Sequence, residues 1–151
     1  PEDDVIARPL GKLTMVNCAS PHYLTRFGYP QSPDDLTSHA IVRYTPHLGV
    51  HPLGFEVASV NGVQWFKSGG MLTVNSSENY LTAGLAGLGI IQIPRIAVRE
   101  ALRAGRLIEV LPGYRAEPLL ISLLYPQRRE LSRRVNLFMQ WLAGVMKEYL
   151  D

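Results

Sequence analysis

The segment from Thr73 to Pro94, with the sequence TVNSSENYLTAGLAGLGIIQIP, constrains the fold more than any other part of the chain. The short run from Met71 to Val74 predicts a strand, and the polar residues after it favour the start of a helix. Gly87 and Gly89 end the helical pattern. The isoleucine-rich run from Ile90 to Ile93 then predicts a strand covered on both faces. This order of strand, helix and strand is typical of a parallel sheet.

A polar loop follows the first strand of this unit. Asn75, Ser76 and Ser77 all suit a helix N-cap, but capping uses a single side chain. The other side chains and the free backbone N–H groups at a helix start favour an anion or a carboxylate. Ligands of open α/β sheets bind outside the carboxyl ends of the strands. The loop is therefore a candidate ligand site, and capping alone is the alternative explanation.

The rest of the chain interleaves strand and helix patterns, which predicts an α/β fold. A loop or broken end is expected over residues 1–11, followed by a strand from Lys12 to Ala19. The remaining predicted elements are helices after Ser20-Pro21 and Ser32-Pro33, strands at 40–44 and 107–111, and a helix ending near Gly105. Apolar residues at helical spacing after Ser132 predict a long terminal helix.

Two strand patterns allow more specific predictions. Asn61-Gly62 is a strong hairpin signal, and pairing Val60 with Val63 would place Ala58 opposite Trp65. The run from Leu119 to Tyr125 is nearly all apolar, which predicts a second buried strand.

Composition excludes several classes of protein. The 151 residues suffice for one domain with a real core. The net charge of +2 is too small to indicate nucleic-acid binding by itself. Cys18 is the only cysteine, which excludes an internal disulfide and favours a reducing compartment. The apolar runs are too short to cross a bilayer. The chain starts without methionine or a visible signal peptide, so we expect a piece of a longer protein.

No pattern supports catalysis, a metal or a cofactor. The glycines from Gly84 to Gly89 fall at the end of a helix, whereas a phosphate needs the start. His47 and His51 lie among prolines and glycine without a nearby carboxylate, so loop histidines are expected. There is no G-x-S-x-G motif and no acid–base constellation, so we do not expect an enzyme. The arginines at 128, 129, 133 and 134 indicate a solvated helix face or a partner surface, without a helix-turn-helix pattern.

Five segments occur in an order that resembles the effector-binding domain of LysR-type transcriptional regulators. They are ARPLG from Ala7, VNCASPHYLTRFGYPQSPDDLTSH from Val16, the opening segment from Thr73, GRLIEVLP from Gly105 and LLYPQRRELSRRVNLFMQWL from Leu123. The resemblance extends from about Ile6 to Leu142. It implies an α/β, periplasmic-binding-protein-like (type 2) fold with two lobes. Residues 1–20 and 126–151 would form a partial first lobe, and residues 21–125 a complete second lobe.

The resemblance also implies a binding site for a small-molecule effector, and the donor-rich loop favours an anionic one. Its residues would be Asn75, Ser76 and Ser77 on the loop, Ile93 and Pro94 at a strand end, and Ala19, Ser20 and Pro21 at a crossing between the lobes. Arg8 and Tyr44 could also reach the site. Effector binding would bias lobe closure and the geometry of an oligomer, a dimer or tetramer.

The implied protein is a cytoplasmic regulator that contacts DNA only through an N-terminal helix-turn-helix domain absent from this chain, with no membrane partner. An unpaired strand edge and uncovered apolar surface would favour self-association. The alternative is a solute-binding protein of a transport system, which would predict an upstream signal peptide. A third class, an enzyme on the same fold, would need a reactive residue that the sequence does not offer.

Overall fold

The structure is a computed structural model that describes residues 5–46, 54–70, 72–126 and 132–150. Its strands in chain order are β1 (Val5–Leu13), β2 (Met15–Ala19), β3 (Arg43–Tyr44), β4 (Phe55–Ser59), β5 (Gly62–Phe66), β6 (Thr73–Val74), β7 (Ile91–Pro94), β8 (Ile108–Glu109) and β9 (Leu119–Pro126). The α-helices are α1 (Pro21–Phe27), α2 (Ser77–Leu85), α3 (Arg95–Arg103) and α4 (Arg133–Met146), and a 3-10 helix spans Pro33–Ser38. Met71, His47, His51, Arg128 and Arg129 lie outside the described residues.

The chain divides into two compact units. The smaller comprises Pro1–Thr14 with Pro118–Asp151, and the larger is Met15–Glu117. These bounds differ from the division expected at residues 20 and 126. β2 is hydrogen-bonded to β7 and β8 inside the larger unit, and β9 pairs with β1 inside the smaller one. The assignment of the two units to a first and a second lobe stays a prediction.

The larger unit is built on a mixed set of strands. β2 lies between β7 and β8 and is antiparallel to both. β3 pairs with β6 in parallel, and a parallel bridge between Ile41 and Ile90 links the β3 segment to the start of β7. The carboxyl ends of β3, β6 and β7 therefore lie at one edge. The predicted strand–helix–strand unit is present as β6, α2 and β7, with the β3 segment between its strands.

The ends of α2 follow the local sequence signals. Ser76 is the N-cap residue, since its hydroxyl accepts the backbone N–H of Asn79 at 3.4 Å. At the other end, the Leu88 N–H donates to the Ala83 carbonyl at 3.0 Å, and the Gly87 N–H donates to that of Gly84 at 3.1 Å. This is a Schellman motif, and Gly87 has the positive φ of 78° that the motif requires.

Two apolar clusters form the core of the larger unit. One packs α2 and α3 against the sheet through Val16, Cys18, Val42, Tyr80, Ala83, Ile91, Ile93, Val98, Ala101 and Leu107. The other joins α1, the 3-10 helix and the hairpin through Ala19, Tyr23, Leu24, Leu36, Ile41, Phe55, Val57, Ile90, Val110 and Leu111. Within β7, Ile91 and Ile93 are buried, but Gln92 is only partly buried, so the strand is not apolar on both faces.

Two sequence predictions, about a strand position and a hairpin register, are wrong. The segment expected to be a loop or a broken end contains β1, which pairs antiparallel with β9 across an irregularity between Pro9 and Gly11. The hydrogen-bond partner of β1 is β9, a distant strand that the local sequence pattern of β1 does not reveal. In the hairpin, Ala58 lies opposite Val63 rather than Trp65, because Val60 and Asn61 form the turn and Ser59 pairs with Gly62.

The smaller unit leaves apolar side chains exposed. β9 was predicted to be a buried strand, yet Leu124 is 69% exposed, and Leu119 and Leu120 are exposed as well. Within the part of the chain that the structure describes, β1 is the strand that pairs with β9, and a two-stranded sheet cannot cover both of its own faces. The predicted terminal helix is present as α4. It buries Met139 and exposes large side chains, among them Trp141 at 60%.

The position of Cys18 allows a first prediction. The thiol is fully buried on β2, and burial together with the neighbouring Glu109 carboxylate raises its pKa to about 12. We expect no measurable reaction with a thiol reagent at pH 8 in the native protein, and complete reaction after denaturation. A Ser77→Cys variant supplies an exposed thiol as the positive control. Fast native labelling of Cys18 would contradict the buried position of β2.

Candidate functional site

Tyr44 and Asn75 lie at the same edge of the larger unit. Tyr44 is opposite Val74 in the parallel pair of β3 and β6, and the Thr45 N–H donates to the Val74 carbonyl at 2.9 Å. Both strands end here, and the chain turns from β6 through Asn75 into α2. The structure thus brings Tyr44 together with the predicted loop, at the carboxyl ends of parallel strands, where ligands of α/β sheets bind.

The three loop residues have different surroundings. Ser76 is half-buried and caps α2, and its hydroxyl also donates to the Glu78 carboxylate at 2.9 Å. Asn75 and Ser77 are exposed. The capping explanation therefore holds for Ser76, while the side chains of Asn75 and Ser77 face solvent. Their role in ligand binding stays a prediction.

Glu78 sets the electrostatics of this helix start. The first turn of α2 carries the positive end of the helix dipole, and Glu78 is the acidic residue in that turn. Its carboxylate already accepts the Ser76 hydroxyl. An anionic ligand at this position must therefore compete with Glu78 for the same donor and the same favourable field.

Tyr80 connects the loop to the interior. Its backbone N–H donates to the Ser76 carbonyl at 2.9 Å, and its ring centroid lies 5.7 Å from that of the half-exposed Tyr44. Its hydroxyl accepts the Gln92 backbone N–H at 2.8 Å and donates to the Gln92 carbonyl at 3.3 Å. Burial raises the pKa of Tyr80 to about 12, so the hydroxyl stays protonated and can donate.

Ile93 and Pro94 also lie at the carboxyl end of β7, beside the same edge. Ile93 is buried in the core with Val16 and Cys18, and its side chain packs there. Pro94 is half-buried and precedes the first turn of α3. β7 ends one residue later than the strand predicted from Ile90 to Ile93, and a ligand contact of either residue stays a prediction.

Ala19, Ser20 and Pro21 lie at the opposite edge. In the antiparallel pair of β2 and β7, Met15 is opposite Pro94 and Cys18 is opposite Ile91, so β2 ends beside the start of β7. The Ser20 hydroxyl is buried and accepts the Tyr23 N–H at 3.2 Å as the N-cap of α1. The structure does not bring these three residues together with the loop. Their local role is to start α1.

Arg8 belongs to the smaller unit. It lies on β1, opposite Leu123 of β9, and it is exposed.

Sequence reasoning missed a polar network beside the site, formed by the buried Asn17 and the partly buried Gln92. Gln92 Nε2 donates to Asn17 Oδ1 at 2.9 Å and to the Glu56 carbonyl at 2.7 Å, while Gln92 Oε1 accepts the Glu56 N–H at 3.2 Å. Asn17 Nδ2 donates to the carbonyls of Leu111 and Tyr114 at 3.2 and 2.9 Å. The signal was available in the sequence, because each amide interrupts an apolar strand and must find partners there.

The described residues include neither a candidate metal site nor a candidate membrane span. They contain no group of three or more histidine, cysteine, aspartate or glutamate side chains placed to hold a metal ion. None of the helices in this part of the chain has the length and apolar character needed to cross a membrane.

The fold and the loop define the class of protein: an α/β domain whose polar loop opens at the carboxyl ends of parallel strands. The solved structures that it resembles are regulatory domains of the periplasmic-binding-protein-like (type 2) kind. The model of the family described as "LysR substrate binding domain" matches residues 1–147. The chain belongs to this family.

Known relatives agree with that assignment. The chain is 97% identical over 151 residues to the HTH-type transcriptional regulator YhjC of Escherichia coli K12, covering 100% of this chain and 50% of the relative. The CrgA regulatory domain, from a LysR-type transcriptional regulator of Neisseria meningitidis, matches with a TM-score of 0.78 at 23% identity, covering 95% of this chain and 70% of that one.

A third match is the full-length structure of AphB, described as a Vibrio cholerae virulence activator. Its TM-score is 0.77 at 26% identity, and the match covers 96% of this chain and 49% of that one. The chain thus spans about half the length of the curated relatives it matches. The relatives named here are regulators, in agreement with the expectation that the chain is not an enzyme.

Proposed function

We propose that this chain is the effector-binding part of a LysR-type transcriptional regulator. The observation that carries the proposal is the family match over residues 1–147. The loop at the carboxyl ends of β3 and β6 supports it, because it exposes Asn75 and Ser77 at the start of a helix. The same match favours a regulator over the solute-binding alternative.

The proposed effector is a small molecule with an anionic group. Its negative charge would lie at the first turn of α2, where free N–H groups and the helix dipole favour it. Asn75 and Ser77 would donate to it, and the exposed ring of Tyr44 would contact its apolar part. The effector would displace the Glu78 carboxylate from the Ser76 hydroxyl. Because this hydrogen bond must break, Glu78 lowers the affinity for the effector.

Regulation would follow from a change in the arrangement of the two units. An effector that binds one arrangement better than the other shifts the population toward it. We propose that this shift alters the geometry of a dimer or tetramer, and so the spacing of DNA-binding domains carried outside this chain. Such a regulator would act in the cytoplasm, where its DNA is.

The test compares effector binding by loop variants, measured by calorimetry against small mono- and dicarboxylates. It uses the 151-residue chain and also the longer E. coli relative with its matching segment replaced by this chain. The Ser76→Ala, Ser77→Ala double variant should lose about tenfold in affinity, or about 1.4 kcal/mol, because it removes two hydroxyl donors. Glu78→Gln should bind an anion several-fold more tightly, because it removes the competing charge.

Ser132→Ala is the matched control, since Ser132 caps α4 through its hydroxyl as Ser76 caps α2. It should leave affinity unchanged. Equal affinity of the double variant and the unaltered protein would refute the assignment of the loop. Tighter binding by the double variant would also refute it, because the two serines would then oppose effector binding.

A further inference from the structure

A continuous series of contacts leads from the candidate loop to Asn17 and Glu117, which lie near the two points where the chain passes between its units. We propose that Tyr80 and Gln92 are positioning residues that transmit occupation of the loop to these two crossings. The inference rests on the proposed function, because it assigns a route to the regulation of the same site. Each step below is a contact within the larger unit.

The first step runs from the loop to β7. The Tyr80 N–H donates to the Ser76 carbonyl, so Tyr80 lies one helical turn from the N-cap and moves with it. The Tyr80 hydroxyl holds both backbone groups of Gln92. β2 pairs with one side of β7, and on the other side the Tyr80 hydroxyl takes the place of a strand at Gln92. A shift of the helix start therefore acts on the backbone of β7 at Gln92.

The second step runs through the Gln92 amide. Its three hydrogen bonds reach Asn17 on β2 and both backbone groups of Glu56 on β4. Asn17 is fully buried, and its side-chain amide is hydrogen-bonded to the Gln92 amide and to the carbonyls of Leu111 and Tyr114. Leaving the buried Asn17 amide unpaired costs about 1–3 kcal/mol. If the Gln92 amide shifts, its partners must shift with it or these hydrogen bonds break.

The third step reaches the crossings. The Glu56 carboxylate accepts the Glu117 N–H at 3.0 Å, and the next residue, Pro118, belongs to the smaller unit. The segment before Glu117 also runs beside β4, since the Ala58 N–H donates to the Arg115 carbonyl at 2.8 Å. The other crossing lies between Thr14 and Met15, at the start of the strand that carries Asn17. The network thus holds one residue near each crossing.

The experiment measures amide hydrogen exchange by NMR without any ligand. Tyr80→Phe keeps the ring and removes the hydroxyl. We expect exchange at the Glu56 and Glu117 amides to accelerate at least about tenfold, the equivalent of about 1.4 kcal/mol. The Glu117 amide is several contacts away from the substituted atom, so a purely local effect would leave it unchanged.

Tyr23→Phe is the matched control. The Tyr23 hydroxyl also holds a backbone pair, accepting the Ala40 N–H at 2.9 Å with the Ala40 carbonyl at 3.4 Å. It is also hydrogen-bonded to His39 Nδ1 at 3.0 Å, and it lies outside the series. It should accelerate exchange at Ala40 and leave Glu117 as it was. The proposal fails if both variants accelerate amide exchange at Glu117 equally. It also fails if Tyr80→Phe accelerates exchange at Gln92 but not at Glu56 and Glu117.

A second, exposed substitution keeps the test decisive if Tyr80→Phe does not fold. Tyr44→Leu removes only the ring that contacts Tyr80, and it should accelerate Glu117 about twofold to threefold without affecting Ala40. No change at Glu117 would overturn the proposal. Because no ligand is used, loss of this coupling and failure of the loop to bind an effector are separate results.

Discussion

Replacing Gly89 by alanine is expected to destabilise the protein by about 3 kcal/mol, a large share of the stability of a single domain. A Cβ atom at this position would lie 2.6 Å from the carbonyl oxygen of Ala40. That oxygen accepts the Ile90 N–H at 2.9 Å, and the Val42 N–H donates to the Ile90 carbonyl at 3.0 Å. Both hydrogen bonds join the β3 segment to β7. The methyl group would separate the two strands, because the atom it meets is backbone.

Urea unfolding of the variant measures this effect. Gly113→Ala is the matched control, since a Cβ there meets no atom within 4 Å, and it should change stability by less than about 0.5 kcal/mol. Gly144→Ala, inside α4 and equally unobstructed, should stabilise the helix by about 0.5–1 kcal/mol. A Gly89→Ala variant as stable as Gly113→Ala would contradict the close approach of the two strands.

Replacing Asn17 by leucine is expected to cost about 4 kcal/mol, although the two side chains are similar in size. The substitution removes three hydrogen bonds of a fully buried side chain, to the carbonyls of Leu111 and Tyr114 and from the Gln92 amide. The Leu111 carbonyl keeps the Tyr114 N–H, and the Gln92 amide keeps the Glu56 carbonyl. Leu111 also has a positive φ of 48°, a conformation unfavourable for leucine that the contact from Asn17 helps to hold.

A double-mutant cycle with Gln92→Leu tests the origin of this loss. If the amides act as one network, the double variant should lose at least about 1 kcal/mol less than the sum of the two single variants. Asn75→Leu, on the exposed loop, is the control and should stay within about 0.5 kcal/mol. Strict additivity of the Asn17 and Gln92 substitutions would show that each amide acts alone.

Short-range signals predicted much of the fold. Ser76 and Gly87 mark the two ends of α2 because a cap and a left-handed glycine act through the nearest turn of backbone. The same holds for the start of α1 at Ser20. The family resemblance, confirmed by the match over residues 1–147, added the fold class.

Elements that depend on a distant partner could not be predicted in this way. β1 contains Pro9 and Gly11, which weaken its local strand pattern, and it forms because β9 pairs with it from more than a hundred residues away. The partner of Ala58 is Val63, two residues before the predicted Trp65, because the last pair before the turn is Ser59 with Gly62. The apolar pattern of β9 shows that its residues can be buried, but not what would cover them.

The candidate site shows the same difference between local signals and long-range pairing. By itself, the sequence determined that a helix starts after a donor-rich loop at Asn75, Ser76 and Ser77, since capping chemistry is encoded within a few residues. Only the tertiary structure decided that Tyr44 lies beside this loop, and that Ala19, Ser20 and Pro21 lie at the opposite edge. Strand direction and register set these distances, and they result from pairing between segments that are far apart in the chain.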